Sequence, residues 1–255
     1  MADSKLKIDI RRGKILESLR RDGRVAVSKL SAELGATPVT IRNDLAALER
    51  DGYLTRVQGG AVQCVRPGAD AAESIERLAE KQVIAAKLSE LIADGDTVFI
   101  NSGTTTQVAA QALKDKRNLY IVTNSLPIAT ELGSVPTFRI LLLGGEVNAQ
   151  YAFTYGADAQ EQLRRYQAAW AILSVDGVSL SGGITTYHAE EAIIDRMMIA
   201  QAKQVLIAAD SRKLGRTGFT QITDLSPAVR LFTDSGCEQA VCAELENAGL
   251  SVTLC

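Results

Sequence analysis

The 255-residue sequence predicts an α/β protein in two parts: a small helical domain closed by a hairpin, then a larger domain with a mainly parallel sheet. Three observations predict it. Up to Leu48, apolar residues recur at spacings of three and four, the helical period. From residue 97 onward, short and nearly continuous apolar runs alternate with helical patterns, as parallel strands covered on both faces do. Between the two patterns, Arg66-Pro67-Gly68-Ala69-Asp70 lacks periodicity and carries both strong breakers. The expected boundaries are therefore 1–64, a linker at 65–72, and 73–255.

Taking the elements in order, Ile8, Ile15, Leu16 and Leu19 line a first helix that Asp22-Gly23 ends. Val25 and Val27 form a short extended bridge. Ser28 is the expected cap of a second helix that buries Leu30 and Leu34, and Gly35 permits a tight turn after it. Thr37 and Pro38 suit the N-cap and first position of a third helix, which stops near Asp51-Gly52. Its Ile41, Leu45 and Leu48 share one stripe. Val39, Thr40, Arg42, Asn43, Ala46 and Ala47 occupy the flanks and the opposite face, which is small, polar and basic. Two helices joined in this way form a helix-turn-helix, whose second helix fits the roughly 12 Å major groove. After it, 53–57 and 61–63 flank Gln58-Gly59-Gly60 as a two-stranded wing.

Charge agrees with an anionic partner for this part. Residues 1–66 carry 13 basic and 8 acidic side chains, so they are net +5 within a chain of net −2. Arg42 and Arg56 are expected to neutralise phosphates or reach base edges. Thr40 and Asn43 should face the groove, with Ser28, Thr37, Val39 and Gln58 completing the surface. Aromatic residues are only 5% of the chain, which argues against stacking platforms for single strands.

The second domain opens with a helix over 74–93, carrying Ile75, Leu78, Ile84, Leu88, Leu91 and Ile92 and stopped by Asp94-Gly95. Strands are expected at 97–100, 120–123, 140–143, 170–175, 206–209, 229–232 and 252–254. Ligands of such sheets sit beyond the carboxyl ends of the strands. The first of these ends runs Asn101-Ser102-Gly103-Thr104-Thr105-Thr106 into a helix, and so places four hydroxyls and a glycine where free amides and the helix dipole favour an anion. Asn124, Gly144-Gly145, Asp176, Asp210 and Lys213 follow other strands at the same edge. Lys213 or Arg212 suits a phosphate, and Asn124, Asp176 and Asp210 suit sugar hydroxyls. His188, close to Glu190 and Glu191, is read as a surface or ligand-contacting side chain rather than a catalytic one, because neighbours in sequence establish no geometry.

Cys64, Cys237, Cys242 and Cys255 form no CxxC pair, and His188 is the only histidine, so free thiols and no metal site are expected. The longest apolar run, 168–173, is far below the roughly 20 residues that cross a bilayer. A cytoplasmic protein without a cofactor is the expectation.

Together these strings resemble the DeoR family of bacterial transcriptional regulators from about Ile8 to Asp234. The N-terminal signature is Thr40-Ile41-Arg42-Asn43-Asp44-Leu45, then Leu48-Glu49-Arg50-Asp51-Gly52, Arg56 and Gly59-Gly60-Ala61. The C-terminal one is Asn101 to Thr106, Val122-Thr123-Asn124-Ser125, Leu143-Gly144-Gly145 and Ala209-Asp210-Ser211-Arg212-Lys213. The resemblance implies a winged helix-turn-helix for operator DNA and a Rossmann-like α/β sensor domain built like sugar-phosphate isomerases and deaminases. It implies a phosphorylated sugar or related metabolite as effector, and a repressor of sugar-metabolism genes. Two positions depart from the family pattern: Asn43 replaces a usual Arg, and Asn101 a usual Asp. One such module buries too little DNA for tight specificity, so a homo-oligomer, dimer or tetramer, is expected. The alternative is a retained isomerase or deaminase activity. Val178-Ser179-Leu180 after Asp176-Gly177 lacks the extra carboxylate or imidazole such enzymes need there, which favours sensing.

Overall fold

A computed structural model describes residues 2–22, 24–50, 53–63, 78–149, 151–226 and 228–255. The expected linker at 65–72 lies outside them. The chain divides into two compact units, Met1–Glu76 and Arg77–Cys255.

The first unit runs α1 (Ala2–Asp22), β1 (Arg24–Ala26), α2 (Val27–Leu34), α3 (Pro38–Arg50), β2 (Leu54–Val57) and β3 (Gly60–Gln63). Ile15, Leu16 and Leu19 of α1 are buried with Leu30 of α2 and Ile41, Leu45 and Leu48 of α3. Gly35 takes the left-handed conformation at φ +60°, which turns the chain between α2 and α3. Thr37 caps α3 by accepting from the Thr40 amide at 3.2 Å. Two expectations are corrected. Ala26 is the N-cap of α2 and makes no side-chain cap bond, while Ser28 lies inside the helix, because β1 feeds directly into it. Leu34 is half-buried rather than buried.

The wing has three strands in the order β1-β3-β2, where the sequence predicted two. Gly60 belongs to β3 rather than to the turn, and the hairpin turns on Gln58-Gly59 alone. A Cβ on Gly60 would lie 1.9 Å from the Val25 carbonyl oxygen, so glycine there is what lets β1 pair with β3.

The second unit holds α4 (Leu78–Ser89), β4 (Thr97–Ile100), α5 (Thr104–Ala112), β5 (Tyr120–Thr123), α6 (Leu126–Leu132), β6 (Arg139–Leu142), β7 (Glu146–Asn148) and β8 (Phe153–Tyr155). It continues with α7 (Ala157–Leu163), β9 (Ala168–Ser174), β10 (Gly177–Ser179), β11 (Gly183–Thr186), α8 (Ala189–Gln201) and β12 (Ala202–Ala208). A 3₁₀ turn (Ser211–Lys213), β13 (Thr220–Thr223), β14 (Val229–Thr233), α9 (Gln239–Asn247) and β15 (Ser251–Leu254) complete it. All seven expected strands form one parallel sheet in the order β15-β14-β12-β9-β4-β5-β6.

Side chains alternate along each strand and so serve two cores. Val98 and Ile100 of β4 pack with residues of α4, α5 and α6. Phe99, between them, faces residues of α7, α8 and α9 on the other side. Helices thus change face where the chain passes from β6 to β9, and the carboxyl ends of β4 and β9 flank the resulting topological switch point.

The expected helix over 74–93 ends at Ser89, because Leu91 and Ile92 donate to carbonyls three residues back and tighten the last turn. Cys237 and Cys242 are joined in a disulfide, which corrects the expectation of free thiols; Cys255 is a free thiol, and Cys64 lies outside the described residues. Cys237 precedes the N-cap of α9 and Cys242 is four positions into the helix. Those two places meet at a helix entry.

Candidate functional site

At the switch point the chain leaves β4 through Asn101, whose side chain is fully buried. Its amide nitrogen donates to the Ser174 carbonyl at 2.9 Å and to Asp195 Oδ1 at 3.0 Å. Its oxygen accepts from the Ser174 amide at 2.9 Å. Asn101 therefore pins the ends of β4 and β9 together and ties α8 to both. The next residue, Ser102, donates its hydroxyl to Glu191 of α8. Gly103 follows at φ 152° and ψ 156°, a region open essentially to glycine alone, and caps α5. A Cβ there would stand 2.6 Å from Ser174 Oγ.

The first amide of this turn to find a helical acceptor is that of Gln107, which donates to the Gly103 carbonyl at 2.9 Å. The amides of Thr104, Thr105 and Thr106 have no intrahelical acceptor, as at any helix start. The Thr106 hydroxyl is committed to the Asn101 and Gly103 carbonyls, at 3.1 and 3.0 Å. Those of Thr104 and Thr105 make no hydrogen bond among the described residues. Three amides and two hydroxyls of this loop are thus not spent on the described fold, and such groups at a helix start suit an anion.

Around this loop the other strand ends are built for rigidity. Asn124 is buried; its amide donates to the Thr154 carbonyl at 3.2 Å, and its Oδ1 has no partner among the described residues. The Gly144 amide donates to Gln162, and a Cβ on Gly145 would meet the Tyr155 carbonyl oxygen at 2.4 Å, so these glycines admit α7 and the β7–β8 hairpin at close range. Asp176 Oδ2 accepts from the Thr186 hydroxyl at 3.0 Å and the Tyr187 amide at 2.9 Å, while Oδ1 faces Lys213 Nζ at 3.4 Å. Asp210 accepts from the Arg212 backbone and guanidinium. Burial pushes its carboxyl up, but the Arg212 hydrogen bond and the Lys213 charge outweigh that and leave it below the usual carboxylate range. His188 is buried, not on the surface; it caps α8, and its ring lies 4.3 Å from that of Tyr151.

Glu191, Asp195, Tyr151, Thr186 and Tyr187 are the neighbours that sequence reasoning did not assign to the site. Glu191 and Asp195 carried a signal: they sit four apart on the buried stripe of α8, with Ile194 and Met198. Burial pushes the Asp195 carboxyl up to about 8, the Asn101 hydrogen bond pulls it back in part, and the charge of Asp176 adds to the rise. Its folded value thus exceeds the unfolded one. The folded state then binds the extra proton between roughly pH 4 and 8, and stability falls as pH rises through that window. We expect Asp195→Asn to flatten this dependence, which approaches roughly 1 kcal/mol per pH unit. Melting temperatures from pH 5 to 8.5 check it, and parallel curves for the two proteins would refute it.

In the first unit, Val39 is 63% exposed, and Arg42 and Asn43 are exposed beside it on α3. Thr37 and Thr40 share a hydroxyl hydrogen bond of 2.8 Å at the start of the helix. Arg56 is not a free cation: its backbone amide and Nε both donate to Glu49, and the Arg56 hydrogen bond holds the Glu49 carboxyl below its ordinary range. Asn43, Ala46, Glu49, Arg50 and Arg56 line a shallow groove of about 490 Å³, and Gln58 stands at the exposed hairpin tip.

Both halves match families. Residues 11–66 match the DeoR-like helix-turn-helix domain, and residues 76–235 match the DeoR C terminal sensor domain. The chain belongs to the DeoR family. It is 33% identical to the HTH-type transcriptional repressor GlcR of Bacillus subtilis over 93% of each chain. It is 29% identical to the glycerol-3-phosphate regulon repressor of Escherichia coli K12, over 94% of this chain and 96% of the relative. To the lactose phosphotransferase system repressor of Lactococcus lactis it is 35% identical, over 80% and 82%. This DeoR-family chain is thus a transcriptional regulator with repressors among its relatives. Ribose 5-phosphate isomerase from Plasmodium falciparum superposes at a TM-score of 0.39 and 10% identity, over 52% of this chain and 51% of that one. No helix among the described residues is long and apolar enough to cross a membrane.

Proposed function

We propose that this chain is a cytoplasmic repressor of carbohydrate genes whose operator affinity is set by a phosphorylated sugar or related metabolite. The observation that carries the sensing half is the Ser102–Thr106 loop. It offers amides and hydroxyls at the start of α5, at the switch point where open α/β sheets hold ligands. The phosphate occupies that loop. Lys213, oriented by Asp176, supplies the nearby cation, and the sugar lies toward Asn124, Gly144-Gly145, Tyr151 and His188. Asn101 and Asp210 hold the loops in place, each through its own hydrogen bonds. Domain 1–64 grips DNA and 73–255 senses the effector, with 65–72 joining them.

On DNA, α3 enters the major groove with Val39, Arg42 and Asn43 outward, flanked by Ser28, Thr37 and Thr40, while Arg56 and Gln58 of the wing meet the backbone. Asn43 paired with adenine discriminates by roughly 1 to 3 kcal/mol. A homodimer or tetramer presents paired helices to repeated half-sites. A tenfold release of operator requires about 1.4 kcal/mol of unequal effector binding to the two arrangements.

The test is a shift assay on DNA from the chain's own promoter region at low ionic strength, titrated with a panel of pentose, hexose and triose phosphates. One or more should change the apparent affinity at least tenfold. Arg42→Ala should weaken binding and lower the salt slope by about 1, the signature of one lost phosphate contact. Failure to retard any such fragment would end the DNA-binding reading, and indifference to every sugar phosphate would end the effector reading. A retained isomerase or deaminase activity is the second reading, favoured by the closeness of Glu191 to Ser102. Turnover of a phosphorylated ketose or aldose, abolished by Asp176→Asn, would establish it.

A further inference from the structure

We propose that Glu191 is an internal competitor for the anion cradle: it holds the Ser102 hydroxyl, and an arriving phosphate must take that hydroxyl from it. Resting on the phosphate reading above, this makes Glu191 the residue that sets the effector threshold and starts the response.

The Ser102 hydroxyl donates to Glu191, and both side chains are buried, so this is not a solvent-screened surface contact. A serine hydroxyl has one hydrogen to donate. It can serve the carboxylate or a phosphate, not both. Ser102 also stands directly before the Gly103 cap, so a phosphate on the amides of Thr104–Thr106 lies beside the Glu191 carboxylate. Like charges at that range repel strongly away from water. Binding therefore requires Glu191 to leave.

Its departure has a defined route. α8 is hooked to the residues after β4 at two points one turn apart, Glu191 to Ser102 and Asp195 to Asn101. Asn101 is locked to β9 through both the amide and the carbonyl of Ser174, so the Asp195 hook stays fixed. The Glu191 hook takes the one hydroxyl that Ser102 offers and lies in the first turn of α8. That turn begins at His188, whose amide donates to Thr186 Oγ1 at 3.2 Å; Thr186 in turn donates to Asp176, the partner of Lys213. Displacing the first turn thus pulls on the pair that orients the cation.

Titration calorimetry of the full-length protein with inorganic phosphate and with glycerol 3-phosphate tests this. Glu191→Gln keeps the shape and an acceptor for Ser102 but removes the charge, and it should bind both probes at least tenfold more tightly than wild type. Ser102→Ala releases the carboxylate from the loop, so in that background the gain from Glu191→Gln should shrink below about threefold. Should Glu191→Gln fail to fold, Glu191→Asp, charged but too short to hold Ser102, should still bind phosphate more tightly. Unchanged affinities in folded Gln and Asp variants would overturn the proposal and leave Glu191 a structural contact. Weaker binding of glycerol 3-phosphate with phosphate unaffected would overturn it too, making Glu191 a ligand of sugar hydroxyls. If the wild type and variants bind no phosphorylated probe at all, the phosphate reading itself falls.

Discussion

Gly103→Ala should abolish the effector response while leaving operator binding by the N-terminal unit intact. Its φ of 152° and ψ of 156° belong to a region that side chains avoid, at about 1 to 3 kcal/mol. The added methyl would also stand 2.6 Å from Ser174 Oγ and 2.8 Å from Ser174 Cβ, an overlap costing a further 1 to 3 kcal/mol or so. Ser174 cannot withdraw freely, since its amide and carbonyl are both held by Asn101. The loop must therefore shift, and with it the amides of Thr104–Thr106. Together these predict about 2 to 6 kcal/mol of lost stability, and for a domain of this size a fall of roughly 2 to 4 °C in melting temperature per kcal/mol. Thermal melts and a sugar-phosphate titration of the operator complex read both effects. A variant that melts and responds like wild type would show that the loop does not need glycine.

Asp44→Ala should uncouple the recognition helix from the rest of its unit and cost operator binding at least as much as loss of a direct DNA contact. Asp44 lies on the inner face of α3, 3% exposed, and accepts from Nε of both Arg11 and Arg12 of α1. Removing one side of a buried ion pair costs about 3 to 5 kcal/mol. The two guanidiniums are about one-fifth exposed and regain some hydration, which moves the expectation toward the lower figure. Against the roughly 0.05 to 0.15 kcal/mol per residue that holds a small domain folded, that is a large share of the unit's stability. The outcome to look for is loss of DNA retardation with the sensor's thermal transition and phosphate binding preserved. Asp44→Asn, which keeps an acceptor, should fall between. Operator binding within twofold of wild type for Asp44→Ala would mean that α1 does not position α3.

Much of the architecture was legible. The seven parallel strands were each foreseen to within four residues at either end, because a strand buried on both faces needs an uninterrupted apolar run. The third strand of the wing and the short strands β7, β8, β10, β11 and β13 were not. They are three or four residues long, many of them Gly, Ser, Thr or Asn, and exist through pairing with partners rather than through any pattern of their own. The disulfide escaped because the spacing of Cys237 and Cys242 acquires meaning only once α9 is known to begin between them.

Within the site, local chemistry written into the chain marked the Ser102–Thr106 loop: hydroxyls and a glycine between a strand and a helix have the same meaning wherever they occur. Short-range periodicity likewise pointed to two parts, to the order of the main elements and to the exposed positions of Val39, Arg42 and Asn43 on α3, whereas Ala47, expected on the flanks or opposite face of that helix, is buried. Tertiary structure alone decided which polar groups are spent on the fold and which are left over. Asn101 is engaged with Asp195 across 94 residues, Asp176 with Lys213 across 37, and Glu191 with Ser102 across 89. Hydrogen-bond partnership depends on distances that folding creates, and no local pattern along the chain encodes them.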